Sequence, residues 1–318
     1  MPPSRSSPNV SAATAHDEPM LATRLISAGL LAPIVVVIVL FGEPWVSSLV
    51  GLLVFLAMVE LIALLDAGGF APPQVVALAA GLIVAGAGLV TANQALVGGA
   101  LADMLRATDP LGLPTVALAA AVVVLGVAGF TRGEPRDGFV TWAVTSFGVA
   151  YVGLLAPFIA VVAHLAPPGG SATTPIGAMN LNAGTAWMLL LLLVVWGYDS
   201  GAYVTGRWLG RRHLIDHISP SKTVEGLVGG LLAATLAAGV GAWLIGLDAW
   251  QPLVIGPIIG LAAQAGDLAE SMVKRAAGRK ESGFLVPGHG GVLDRIDSFL
   301  FAAPVLVGYA LLIAGFSL

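Results

Sequence analysis

The chain contains no cysteine and few charged residues. Of its 318 residues none is Cys, and Asp, Glu, Lys and Arg together make up 10%. The missing thiols exclude disulfides, thiolate metal ligands and a cysteine nucleophile. A soluble domain has about 25% charged residues. The shortfall, together with 57% hydrophobic residues, argues against a soluble globular protein.

The sequence contains repeated long runs of apolar residues with few charges. Runs of about 20 apolar residues predict membrane-spanning helices, because a helix satisfies its own backbone hydrogen bonds inside a bilayer. The runs are continuous and do not alternate with period two, as the strands of a transmembrane barrel would. The predicted fold class is an all-α polytopic membrane protein with about nine transmembrane helices. The predicted spans are 25–41, 45–65, 75–97, 115–130, 141–165, 185–204, 224–245, 252–272 and 299–316.

The chain divides into three predicted parts. Residues 1–20, rich in Ser and Pro, predict a disordered cytosolic tail rather than a cleaved signal peptide. Residues 21–184 predict an N-terminal region of about five helices, and residues 185–318 a C-terminal region of about four. Most of the Lys and Arg residues lie in two polar loops of the C-terminal region, 205–223 and 273–298. The positive-inside rule therefore predicts that these loops face the cytosol.

Acidic side chains concentrate near the ends of the C-terminal spans. Acids inside a membrane are costly and are functional candidates by default. Asp199 lies near the end of the sixth span, and Asp267 near the end of the eighth. Asp294 and Asp297 would share a helix face if the ninth helix began early enough to include them. One face of a helical eighth span would carry Asp267, Glu270, Ser271 and Lys274.

Carboxylates beside Lys and Arg are typical of a site for Mg²⁺ and phosphate. Mg²⁺ prefers oxygen ligands, and the basic side chains balance phosphate charge. No His or Cys pattern indicates zinc, and the glycines do not form a Walker A sequence. Ser200, Ser221 and Ser271 have no evident His–Asp relay, so a serine nucleophile is not predicted. Glu60 and Asp66, near the end of the second span, are interpreted as an interfacial pair rather than a site.

The polar segments of the C-terminal region form an ordered set of motifs. Residues 271–297 read SMVKRAAGRKESGFLVPGHGGVLDRID, and DSGAY at 199–203, SPSKTVEG at 219–226 and GDLAES at 266–271 precede or overlap them. Together they resemble the signature of the phosphatidate cytidylyltransferases (CDP-diacylglycerol synthases). The resemblance covers about residues 195–298, and the family usually has Lys-Asp where this chain has Lys280-Glu281.

The resemblance implies an activity and roles for particular residues. The implied reaction transfers the cytidylyl group of CTP to phosphatidic acid, giving CDP-diacylglycerol and pyrophosphate, with Mg²⁺ and room for a second cation. Metal binding is implied for Asp267 and Asp294, with Asp199 and Asp297 as candidate outer ligands. Catalytic roles are implied for Asp267, Asp294, Lys274 and Arg275. Substrate-binding roles are implied for Lys222, Ser221, Arg207, Lys280, His289, Gly290, Gly291 and Arg295.

Partners and location follow from the same resemblance, and alternatives stay open. We expect a multi-pass protein of the cell's inner membrane whose site faces the cytoplasm, with no nucleic-acid partner; a homodimer is a family-based expectation. A CTP-dependent lipid or polyprenol kinase, or a cytidylyltransferase for another lipid phosphate, would use a similar phosphate site. A transporter would place its binding groups near the bilayer midplane between inverted repeats, whereas these acids cluster at one face.

Overall fold

The computed structural model describes residues 29–93, 112–166, 181–283 and 290–315. Helices account for nearly all the regular structure in these ranges, with one pair of short strands. In chain order the elements are α1 (Gly29–Phe41), α2 (Trp45–Ala67), α3 (Gln74–Ala92), α4 (Gly112–Gly129), α5 (Pro135–Gly148), α6 (Pro157–Val162), α7 (Ala183–Leu209), β1 (His213–Ile215), β2 (Ser219–Thr223), α8 (Val224–Ile245), α9 (Pro252–Ala276) and α10 (Leu293–Leu312).

The helices confirm the predicted class. In the described ranges, 8 helical segments are long and apolar enough to cross a membrane, by length and composition, and α1 is a shorter apolar helix. The polar stretch after the eighth predicted span is partly helical. Helix α9 continues to Ala276, and α10 already begins at Leu293. Asp294 and Asp297 therefore belong to the first turns of α10.

The fifth predicted span is not one regular α-helix. Helix α5 begins at Pro135, a π-helical segment Val149–Leu154 follows it, and α6 begins at Pro157. Proline suits a first helical turn, because the N–H it lacks would have no partner there. Inside a longer helix the same missing N–H removes a hydrogen bond to the preceding turn. Pro157 thus coincides with a break that the apolar pattern did not reveal.

A β-hairpin occupies the predicted polar loop between the sixth and seventh spans. Strands β1 and β2 are antiparallel. Glu225, in the first turn of α8, accepts hydrogen bonds from the backbone N–H groups of Arg211 and Arg212 at 3.0 and 3.2 Å. The Thr223 hydroxyl caps the same helix by accepting from the Gly226 N–H at 3.0 Å. The Glu225 contacts tie the residues just before β1 to the start of α8, which directly follows β2.

Close packing joins the four helices of the C-terminal region. Helix α7 packs along α8, while α9 packs against both α8 and α10. At Gly266 in α9, an added methyl group would collide with the Asp297 carbonyl oxygen of α10. Helix α10 also packs against α2 and α6, so the N-terminal region supports the helix that carries Asp294 and Asp297.

Replacing Gly266 by alanine tests the approach of α9 to α10. We expect Gly266→Ala to destabilise the protein by about 1–3 kcal/mol, the usual cost of forcing an extra methyl group into a packed interior. The measurement is the midpoint of thermal unfolding in detergent. The matched control is Gly239→Ala in α8, where an added methyl group meets no atom within 4 Å and the helix gains up to about 1 kcal/mol. Equal midpoints for the two variants would contradict the packing described here.

Candidate active site

A cleft of about 440 Å³ opens between α7, β2, α8 and α9. The elements that line it come from three separate polar segments of the sequence. The helices α7 and α9 bring their polar ends to the cleft, and the hairpin adds the last residues of β2. The predicted site residues in its lining are Asp199, Arg207, Ser221, Lys222 and Asp267. The fold therefore brings together side chains that the sequence only suggested as partners.

An ion pair between Lys222 and Asp267 crosses this cleft. The Lys222 ammonium contacts Asp267 Oδ2 directly, and the Ser271 hydroxyl lies 3.4 Å from Asp267 Oδ1. The two charged side chains are 20% and 30% exposed, so a ligand in the cleft reaches both of them. Asp199 and the buried Asp297 lie within electrostatic range of Asp267. Acidic side chains and the Lys222 ammonium thus lie close together in the cleft.

Two arginines border the cleft region. Arg207 donates a hydrogen bond to the Tyr203 hydroxyl at 2.7 Å, and its guanidinium lies 5.9 Å from the centre of that ring. Arg295, in α10, lies within electrostatic range of Asp199. Both arginine residues are exposed. Arg207 lines the cleft, whereas Arg295 does not line it, and the substrate-binding role predicted for Arg295 stays a prediction.

Arg275 and Lys280 occupy different surroundings from the cleft residues. Arg275 donates to the backbone carbonyls of Ile218 and Arg279 at 3.3 and 3.1 Å, so it ties the end of α9 to the hairpin. Lys280 and its neighbour Glu281 are exposed. None of these three side chains lines the cleft in the described part of the chain. Their predicted roles stay predictions.

A second, buried network surrounds Lys274. Its ammonium lies 2.5 Å from Glu270 Oε2 and 2.5 Å from Asp294 Oδ1. Glu270 is 0% exposed. The other oxygen of Asp294 accepts hydrogen bonds from the Ser282 hydroxyl at 2.8 Å, the Ser282 N–H at 3.2 Å and the Gly291 N–H at 2.8 Å. Asp294 is therefore held rigidly at the start of α10, where a negative charge is also favoured by the helix dipole.

The segment that contains His289, Gly290 and Gly291 is described only from Gly290 onward. Gly290 has a φ of +81°, a left-handed conformation that favours glycine. The Gly291 N–H donates to Asp294, so in this structure it is engaged within the protein. His289 lies outside the described residues. The phosphate-binding roles implied for these three residues stay predictions.

Glu60 is a functional candidate that the sequence interpretation missed. The interpretation of Glu60 as half of an interfacial pair with Asp66 is wrong, because Glu60 is 5% exposed and its Oε2 accepts a hydrogen bond from the Leu293 N–H at 2.8 Å. A side chain at either Gly283 or Gly291 would collide with its carboxylate. Glu60 thus caps α10 from the N-terminal region. No local pattern links two residues so far apart in sequence.

The donor set of the cleft fits a hard divalent cation. Mg²⁺ is commonly held by one or two carboxylates together with substrate phosphates and waters. Asp267 and Asp199 line the cleft, and a cation bound to Asp267 would share that carboxylate with the Lys222 ammonium. Among the described residues no group of three His, Asp or Glu side chains forms a ready metal cage. A bound cation would therefore depend on ligands from the substrate, which is the behaviour expected of Mg²⁺.

Comparisons with known proteins agree with the motifs. The model of the cytidylyltransferase family matches residues 22–313. A phosphatidate cytidylyltransferase from Synechocystis sp. is 44% identical over 136 residues, which are 42% of this chain and 46% of that protein. One from Staphylococcus haemolyticus is 44% identical over 125 residues, 39% of this chain and 48% of that protein.

A further relative has a name that states no activity. The uncharacterized protein YnbB of Escherichia coli is 42% identical over 127 residues, 40% of this chain and 43% of that protein. The chain spans just under half the length of these three relatives.

Substitution of Glu60 tests its role as a cap. We expect Glu60→Ala to speed amide hydrogen exchange in the peptide that contains Leu293, because the N–H loses its acceptor. Glu60→Gln keeps an acceptor oxygen at the same reach and should retain most of the protection. The measurement is hydrogen exchange by mass spectrometry in detergent, with a peptide from α8 as internal reference. Equal exchange at Leu293 in wild type and Glu60→Ala would contradict the cap.

Substitution of Lys274 tests the buried network. We expect Lys274→Met to destabilise the protein by about 3–5 kcal/mol, since removing one partner leaves buried carboxylates uncompensated. The double variant Lys274→Met/Glu270→Gln should recover part of that loss, because one of the stranded charges is gone. Thermal unfolding midpoints of the wild type, both single variants and the double variant form the cycle. Strictly additive effects would show that the two side chains are not coupled.

Proposed function

The chain belongs to the cytidylyltransferase family, and we propose that it transfers the cytidylyl group of CTP to phosphatidic acid. The products are CDP-diacylglycerol and pyrophosphate. The observation that carries the proposal is the Lys222–Asp267 pair in a cleft at the polar ends of long apolar helices. One substrate is a membrane lipid and the other is a highly charged nucleotide. A site at the boundary between apolar and polar surfaces suits both.

The reaction breaks the phosphoanhydride bond between the α- and β-phosphates of CTP and forms a new one between the α-phosphate and the lipid phosphate. An oxygen of the lipid phosphate attacks the α-phosphorus of CTP, the bond between that phosphorus and the bridging oxygen breaks, and pyrophosphate leaves with the electron pair. A phosphate monoester is largely ionised near neutral pH, so the nucleophile needs no protein base. The protein's contribution is therefore to position two anions in line and to offset their charge.

The cleft residues supply that positioning. Lys222 and Arg207 bind phosphate oxygens, and Ser221 donates a hydrogen bond from its hydroxyl. In the ligand-bound protein the Lys222 ammonium shares its charge between Asp267 and a phosphate. The family resemblance suggests further contacts to the triphosphate from residues that do not line the cleft in the described part of the chain: Arg295, Arg275, Lys280, His289, Gly290 and Gly291. Donors aimed at developing negative charge lower the barrier most where water is excluded.

Carboxylates of the site would hold Mg²⁺. Asp267 is the proposed ligand in the cleft, and Asp294 would join it by giving up part of its contacts with Ser282 and Gly291. Asp199 and Asp297 are proposed outer ligands, and a second cation is an expectation from the family resemblance. When bound, Mg²⁺ offsets charge on the phosphoryl oxygens. Lys274, with Ser282 and the Gly291 N–H, fixes the orientation of Asp294. Lys274 acts through that carboxylate as well as through any phosphate it touches.

The location of the site follows from the distribution of basic residues. Residues 205–223 and 273–298, which include the hairpin and the adjoining ends of α7, α9 and α10, carry most of the Lys and Arg residues, so we place them on the cytoplasmic face of the inner membrane. CTP then reaches the cleft from the cytoplasm, and phosphatidic acid enters from the surrounding bilayer. A homodimer remains an expectation from the family resemblance.

Labelled CTP distinguishes the proposed reaction from its rivals. With purified protein, Mg²⁺ and phosphatidic acid, label on the α-phosphate of CTP should enter the lipid while pyrophosphate is released. A CTP-dependent kinase would instead move label from the γ-phosphate to the lipid, and a transporter would do neither. Label transfer to dolichyl or undecaprenyl phosphate in preference to phosphatidic acid would overturn the lipid assignment.

Replacing Asp267 tests the residue at the centre of the site. We expect Asp267→Asn to lower turnover about 100-fold or more, the scale of losing one charged group that acts in the transition state, while expression and thermal stability stay near wild type. The matched control is Asp248→Asn, outside the cleft and just before α9, which should keep full activity. In Glu281→Asp, which introduces the residue that the family usually has, we expect turnover to fall much less than in Asp267→Asn. Near-normal turnover of purified Asp267→Asn would defeat the assignment.

A further inference from the structure

Two buried polar side chains lie side by side in the cleft. Tyr198 of α7 and Gln264 of α9 both line it, and Gln264 is 7% exposed. The Tyr198 hydroxyl donates a hydrogen bond to Gln264 Oε1 at 2.7 Å. The other terminal atom of that amide, Nε2, is buried without a hydrogen-bond partner among the described residues. The amide is thus held at its oxygen, while its N–H₂ group, in a residue that lines the cleft, is buried and has no partner in the described part of the chain.

An unpaired buried amide donor is costly. Leaving such a group without a partner loses the free energy of its hydration, and buried polar groups in proteins nearly always have a partner. Because Tyr198 occupies the oxygen of the amide, the partner that Gln264 lacks is a hydrogen-bond acceptor. The chemical class that fits a neutral donor here is a carbonyl oxygen.

The position of Gln264 indicates which substrate supplies that oxygen. Gln264 precedes Asp267 by one helical turn, about 4.5 Å along the axis of α9. The ionisable residues of α9 all lie from Asp267 onward, and the residues before Gln264 are apolar or glycine. Along α9 the order is therefore the charged Lys222–Asp267 pair, then the neutral donor of Gln264, and then apolar residues.

Phosphatidic acid has the same order of groups. Its phosphate is followed by two ester carbonyls at the glycerol and then by hydrocarbon chains. A nucleoside triphosphate has no apolar end, and its base would have to lie on the hydrocarbon side of its phosphates to reach Gln264. The lipid ester is the better match because it needs no polar group beyond Gln264.

We propose that Gln264 Nε2 donates a hydrogen bond to an ester carbonyl of the lipid substrate, with Tyr198 orienting the amide. The inference rests on the proposed function, since it names a contact made by the lipid in that reaction. It makes Gln264 a specificity-determining residue. The enzyme would distinguish acyl-ester lipids from alkyl-ether lipids, whose glycerol linkages have no carbonyl oxygen.

The test compares ester-linked phosphatidic acid with its dialkyl-ether analogue. The wild-type protein should have a kcat/KM about ten-fold higher for the ester, the scale of leaving a buried neutral donor unpaired. Gln264→Met has nearly the same length without the amide and should bring the ratio close to one. Tyr198→Phe, which frees the amide, should lower the ratio by a smaller factor and provides a second reading if Gln264→Met folds poorly.

A control variant and separate contrary outcomes distinguish failure of this proposal from failure of the proposed function. Gln251→Met, in the turn that precedes α9, removes the acceptor of the Asp248 N–H but should leave the ester-to-ether ratio at the wild-type value. An unchanged ratio in Gln264→Met would overturn the proposal. So would a rise in the KM for CTP that is equal with both lipids, since that result assigns Gln264 to the nucleotide. Absence of labelled CDP-lipid from the wild type with either lipid would defeat the proposed function itself.

Discussion

The buried contact of Lys274 with Glu270 and Asp294 is the interaction on which the rest of the site depends. Charges in a low-dielectric interior are tolerated only when they are paired, and Lys274 forms ion pairs with two carboxylates on two different helices. Fixing Asp294 in turn fixes Ser282 and Gly291, which donate to it. The segment between α9 and α10 is therefore anchored at both of its described ends.

The N-terminal region completes that anchor. Glu60 of α2 accepts the N–H of Leu293, one of the backbone groups that a helix start leaves without an intrahelical partner. Its carboxylate is also close enough to the backbone at Gly283 and Gly291 that neither position has space for a side chain. The helices that carry no motif are thus not only a membrane anchor. They hold the start of the helix that presents Asp294 and Asp297.

The buried Lys274 network and the partly exposed Lys222–Asp267 pair have different roles in this arrangement. The Lys274 network is buried and links Lys274 to Glu270 and Asp294, so it maintains the geometry of α9 and α10. The Lys222–Asp267 pair is partly exposed to the cleft, so its charges remain available to a ligand. Along the axis of α9, the residues change from Asp267 to the neutral amide of Gln264 and then to apolar residues and glycines. This gradient matches a substrate that is anionic at one end and hydrocarbon at the other.

The sequence by itself determined the membrane class, the approximate spans, and the motif that contains Asp267, Lys274 and Asp294. Those features depend on composition and short-range periodicity, because helices in a bilayer satisfy their hydrogen bonds locally. Only the tertiary structure decided the π-helical break before Pro157, the hairpin that carries Lys222, the cap from Glu60, and the Tyr198–Gln264 pair. The cap and the Tyr198–Gln264 pair join groups far apart in the chain that meet when helices pack, and no local pattern records which faces will meet. The break and the hairpin are local, but the apolar pattern does not distinguish them from a continuous helix or an irregular loop.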